Sequence, residues 1–192
     1  MARGLRLNAW AALAALLAAG ALVGGQLPTA WLDWQPARIA EAWRWWTAAF
    51  VHWSPLHLGA NLAGCLIVGA FGVRGRVPAR GALAWLLAWP LVHLALVVQP
   101  ALAHYGGLSG VLHAGVAVAA LWIARAERGR PQAVALAVLG GLALKILLEK
   151  PWAAALTHPP GWDIAVAPLA HAAGALAGAA MVLVLQPRQS AA

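Results

Sequence analysis

Ser109 stands four residues before His113 in the stretch YGGLSGVLHAG, residues 105–115, framed by Gly106, Gly107 and Gly110. His57 and Asn61 repeat that i, i+4 spacing behind a Ser54-Pro55 pair, and His171 lies in AHAAGALAG, residues 170–178. Residues four apart share one face of a helix. A hydroxyl near an imidazole is the chemistry of a nucleophile and its base. Serine needs such a base within about 2.6–3.2 Å. His and Asn side chains, with the first backbone N–H groups of a helix, are donors for an oxyanion, and one such donor is worth about 2.7–4 kcal/mol of barrier.

What positions these residues follows from composition. Of 192 residues, 63% are hydrophobic and 9% are charged, where a soluble domain is about a quarter charged. The chain therefore reads as an all-α polytopic membrane protein with a single core. Six segments are long and apolar enough to cross a bilayer: about 8–24, 54–71, 81–98, 107–124, 131–149 and 165–185. The first is read as a span and not as a cleaved signal, because five more follow. With both termini in the cytoplasm, nine cationic residues face inward and four outward, out of the thirteen present. The inner set is Arg3, Arg6, Arg74, Arg76, Arg80, Arg125, Arg128, Arg130 and Arg188. The outer set is Arg38, Arg44, Lys145 and Lys150. This bias is the positive-inside pattern. It assigns the net charge of +8 to the inner leaflet and excludes a nucleic-acid partner. The outer loop 25–53 is rich in Trp and reads as an interfacial segment, with 150–164 as a cap. Lys145 and Glu149 are expected to pair while reaching outward. Cys65 reads as apolar packing, and neither a metal nor a cofactor is implied.

The second, fourth and sixth spans run from outside to inside. Ser109, His113, His171, His57 and Asn61 therefore share one depth, about a turn below the outer interface. Three helix N-termini bring partial positive charge to that level. Gly174 and Gly178 form a small-xxx-small face that lets backbones approach, with His171 one turn earlier beside the seam. Taken singly, a serine in a span bonds back to its own helix and a histidine packs. Their shared depth points instead to an active site within the membrane. Gly107 and Gly110 would let a substrate backbone come close. Both His113 and His171 are candidates for the base. His171, carried by another helix, has the freer approach. No acidic residue is expected inside a span at this depth, so a Ser-His-Asp triad is not expected.

His57-Leu-Gly-Ala-Asn61, Gly107-Leu-Ser109-Gly110 and Ala170-His171-Ala-Ala-Gly174 followed by Gly178 resemble the rhomboid intramembrane serine proteases, in order and on the corresponding spans. His52 and Trp43-Arg44 fit the same pattern as structural positions. The resemblance implies a six-helix rhomboid-like bundle and a Ser109–His171 dyad working through an acyl-enzyme. It places His57 and Asn61 at the oxyanion, and the fifth span with the 150–164 cap at a mobile gate. Many rhomboids carry an aromatic four residues after the nucleophile, stacked on the catalytic histidine; here that position is His113, a possible support for the dyad. The GLSGVLHAG string resembles the bacterial rhombosortase subgroup. That implies an enzyme of the bacterial inner membrane, opening toward the periplasm. Its substrates would be transmembrane proteins, or exported proteins bearing a Gly-rich motif, an apolar helix and a basic tail. A catalytically silent rhomboid-like protein is the main alternative. A proton relay through His57, His93, His113 and His171 is a weaker one, since no carboxylate is expected mid-span. His93 and His104 are assigned to packing or loop hydrogen bonds, and His158 to a solvated loop.

Overall fold

Apolar runs bounded by Pro, Gly and Ser become helices, because those residues start or stop the backbone ladder. The computed structural model of the chain describes residues 8–186. In order it contains α1 (Ala9–Gly24), α2 (Thr29–Leu32), α3 (Arg44–Thr47), α4 (Pro55–Arg74), α5 (Ala79–Ala95), α6 (Ser109–Ala126), α7 (Arg130–Glu149) and α8 (Pro168–Leu185). Among the described residues there is no strand, only the isolated bridges Trp34–Tyr105 and Thr157–Val166. Ser54 caps α4: its Oγ accepts the His57 N–H at 3.0 Å, and Pro55 follows at the first position. Pro168 likewise stands at the first position of α8, after Ala167 and without a side-chain cap. Lys150, in the left-handed region at φ 50°, closes α7.

Among the described residues, five helices are long and apolar enough to cross a membrane: α4, α5 with its terminal 3-10 turn to Val98, α6, α7 and α8. The first expected span is a helix in the expected place, but its 16 residues extend only about 24 Å against a hydrocarbon core of about 30 Å. Instead of standing alone, α1 leans on its neighbours. Trp10 Nε1 donates to the Val68 carbonyl at 3.0 Å, and its ring lies 4.5 Å from that of Trp85. Arg3, Arg6 and Arg188, used above to orient the chain, lie outside the described residues.

Helix α6 is the centre of the bundle, with most of its residues buried. It is held by α8 through glycine and alanine, and by α5 through Trp85, whose Nε1 donates to the Val111 carbonyl at 2.7 Å. The last long helix to be placed, α7, buries only Ala135.

The segment between α1 and α4 is more ordered than an interfacial tryptophan loop needs to be. Arg44 is 2% exposed and binds Asp33 through both its carboxylate (3.0 Å) and its carbonyl (2.7 Å). It also binds the Ala30 carbonyl at 2.9 Å and Glu41 Oε2 at 2.7 Å. The bond from Arg44, aided by Arg38, holds the Glu41 carboxyl below its ordinary range. Trp31 and Trp43 are exposed as an interfacial role requires. Trp34 is fully buried instead, anchoring the loop through its bridge to Tyr105.

Candidate functional site

Close packing of α6 on α8 fixes the two central groups. A Cβ on Gly174 would overlap the Gly110 carbonyl, and one on Gly178 would stand 2.5 Å from the Ala114 carbonyl oxygen. Only glycine admits that approach. Ser109 begins α6 one residue before Gly110, and His171 sits three residues before Gly174 in the first turn of α8. The seam therefore brings Ser109 Oγ to 3.0 Å from His171 Nε2. That is a hydrogen-bonding distance for a hydroxyl donating to a ring nitrogen.

His113 occupies a supporting place. Its ring stacks on His171 with centroids 4.1 Å apart and planes 12° from parallel, and its Nδ1–H donates to the Ser109 carbonyl at 2.6 Å. Of the two candidate bases, His171 has a ring nitrogen within hydrogen-bond distance of the Ser109 hydroxyl, while His113 stacks on His171 and bonds the Ser109 carbonyl.

On the far side of His171 lies a group that the sequence reading did not place there. Glu149 Oε2 is 2.7 Å from His171 Nδ1, and Lys145 pairs with Glu149 from one turn earlier. The expected Lys145–Glu149 pair is present, but it turns inward to the site. The expectation of no acid at this depth is therefore corrected. One signal was available: α7 runs opposite to α6 and α8, so its last residue lies at the level of their first turns.

His57 and Asn61 are both buried, one turn apart on α4. The Trp53 N–H reaches His57 Nδ1 at 3.4 Å. With Nδ1 accepting, Nε2 carries the proton and is free to donate toward the Ser109 loop. Asn61 Nδ2 is buried with no hydrogen-bond partner. A buried amide left in that state costs stability unless a ligand oxygen completes it. Beneath His57, the His52 ring lies at 4.8 Å, and burial holds the His52 imidazole below its ordinary range.

Two glycines beside Ser109 do different work. Gly107 has φ 137°, which favours glycine, and a Cβ there would stand 2.8 Å from His57 Nε2. Its N–H donates to the Ala48 carbonyl at 2.9 Å. Gly110 is turned toward α5 and α8. Its missing Cβ leaves room for Val92 and the Ala170 carbonyl, at 2.7 and 2.8 Å from where a Cβ would sit. Gly110 is a packing residue of the seam.

These groups help line an open cavity of about 590 Å³ bordered by α4, α6, α7 and the segment before α8. Its other walls are apolar, among them Leu112, Val116, Val138, Leu142 and Ile164. The cap is tied down where Ser54 Oγ donates to Asp163 Oδ1 at 2.8 Å. A polar corner in an apolar slot suits an extended peptide whose flanking residues are greasy. The remaining histidines are accounted for locally. His93 Nδ1 donates to the Trp45 carbonyl at 2.5 Å and His104 Nδ1 to Asp33 Oδ2 at 2.6 Å, while His158 is exposed. Cys65 is buried and free, as a packing residue would be.

Compared with known protein families, the chain matches the Rhomboid domain over residues 40–188. No curated protein matches it.

Proposed function

The chain belongs to the rhomboid family, multi-pass membrane proteins that are generally intramembrane serine proteases, and from that premise we propose that it is a serine endopeptidase with Ser109 as nucleophile and His171 as base. The observation that carries this reading is the 3.0 Å approach of Ser109 Oγ to His171 Nε2 at the polar corner of an otherwise apolar cavity.

In the proposed reaction His171 Nε2 takes the hydroxyl proton as Ser109 Oγ attacks the scissile carbonyl. The oxyanion that forms is met by the Ser109 N–H, unpaired as the first of its helix, and by donors from His57 Nε2 and Asn61 Nδ2. Low local dielectric strengthens all three. His171 then gives its proton to the leaving amine, and the acyl group stays on Ser109 as an ester. Water, deprotonated by the same imidazole, releases it. His113 keeps the His171 ring in plane through both proton transfers.

The substrate class we propose follows the same resemblance: transmembrane or C-terminal sorting segments of exported proteins, in the manner of rhombosortases. The enzyme would sit in a bacterial inner membrane with six spans, α1 completing the set despite its length, both termini cytoplasmic and the cavity opening to the periplasm. Co-expression with an exported protein ending in a Gly-rich motif, an apolar helix and a basic tail tests this. The tail should be released with the wild-type chain and retained with Ser109→Ala at equal expression. Release that persists in Ser109→Ala would remove Ser109 from the mechanism.

A further inference from the structure

Resting on the protease reading above, we propose that Glu149 is a positioning residue for His171, so that the working unit is Ser109, His171 and Glu149 gathered from three helices. A lone imidazole bonded to a serine can hold its proton on either nitrogen. Only the form with Nδ1–H leaves a lone pair on Nε2 to receive the hydroxyl proton. Two charged groups compete to set that choice. Glu149 Oε2 lies 2.7 Å from Nδ1, and Lys145 Nζ lies 3.3 Å from the same atom. A lysine donating to Nδ1 would place the ring proton on Nε2, facing Ser109, which is useless for a base. A carboxylate accepting from Nδ1 does the opposite. The carboxylate is the nearer, and the lysine is itself engaged by the other carboxylate oxygen. The arrangement therefore selects the productive tautomer and supplies an anion beside the imidazolium that forms when Ser109 attacks.

The third member comes from an unexpected element. Ser109 and His171 are locked by the glycine seam, but α7 buries only Ala135. Glu149 is its last residue, fixed by the Lys150 turn, and its side chain is 24% exposed. The unit is complete only while α7 is seated over the cavity.

The test uses the full chain, purified and returned to liposomes. It measures kcat and KM for a transmembrane reporter and, separately, the labelling rate of Ser109 by a small fluorophosphonate. Glu149→Gln can donate its amide to Nδ1 and trap the wrong tautomer. Its kcat should fall by about 10²- to 10⁴-fold with KM unchanged, and labelling should slow in step. Glu149→Asp, which keeps a carboxylate on a shorter stem, should recover part of both rates. The double variant Lys145→Met with Glu149→Gln controls for a stranded lysine and should stay as slow as the single one. A double variant restored to the wild-type rate overturns the proposal, because the loss then belongs to the unpaired cation. Wild-type kcat and labelling in Glu149→Gln, or a change confined to KM, also overturns it and leaves the protease reading intact. A wild-type chain that neither cleaves nor labels brings down both.

Discussion

The α6–α8 seam and the α7 edge hold the same site in opposite ways. At the seam, backbones touch: Gly174 meets the Gly110 carbonyl and Gly178 meets Ala114, leaving no slack between Ser109 and His171. At the edge, α7 presents Leu144, Leu147 and Leu148 outward, each more than half exposed, lines the cavity with Val138 and Leu142, and makes its polar contact with the site through Lys145 and Glu149. The difference separates precision from access. Groups that exchange a proton must hold their separation within a few tenths of an ångström, so they sit where packing is tightest. Under the proposed function a transmembrane substrate would enter from the lipid, which asks for one wall of the cavity to be held lightly.

That contrast can be broken most severely at the seam. Gly174→Leu forces α6 and α8 apart against backbone that cannot yield. Overpacking of this kind costs about 3 kcal/mol or more. Thermal unfolding in detergent should show a large drop in midpoint, with reporter cleavage lost; an unchanged midpoint would mean that the seam does not set the spacing. A smaller effect is expected from the brace. His113→Ala removes a stacked ring, an interaction worth about 0.5–1.5 kcal/mol, so kcat should fall about 2- to 10-fold while folding survives. Complete loss would instead make His113 a reacting group.

The loop feeding α4 sharpens the comparison through pH. Burial lowers the His52 pKa below its unfolded value near 6.5. The neutral ring's contribution to stability is therefore present above that value and drains away as pH falls through the folded-state pKa. His52→Phe should flatten the acid side of the stability profile, read by unfolding midpoints across pH 4–8 (roughly the window of a histidine). The same acid slope in both proteins would assign it elsewhere. The smallest change is expected at the edge. Leu148 is 71% exposed, and Leu148→Ala should shift stability by less than about 0.5 kcal/mol. A large loss there would show α7 to be as firmly held as α8.

Much of this arrangement is legible in the sequence because helical phase is. Apolar length marks α4 to α8, and spacing of four puts His57 with Asn61 on one face. The direction of alternate spans brings Ser109 and His171 to a common level. What escapes is direction at ends and neighbours across a seam. Glu149 ends its helix in a position from which it can turn to lipid headgroups or to the site; only the placement of α8 decides. Gly110 beside a serine fits substrate approach and helix packing equally well, until the crossing of α6 and α8 assigns it to packing. In the Asp33–Arg44–Glu41 knot, Glu41 and Arg44 stand at a pairing distance in sequence, but Asp33 meets Arg44 from 11 residues away, a contact that no spacing signals. The first apolar segment is legible too: the span expected over 8–24 and α1 at Ala9–Gly24 nearly coincide, and what hydropathy leaves open is whether so short a helix crosses the bilayer.

The most direct test of the central claim is to map a fluorophosphonate adduct by mass spectrometry on the active chain in liposomes. The account predicts one adduct, on Ser109, that disappears in His171→Ala while the variant remains folded. Labelling of Ser109 at the wild-type rate without His171, or cleavage by a chain that never forms the adduct, would contradict it.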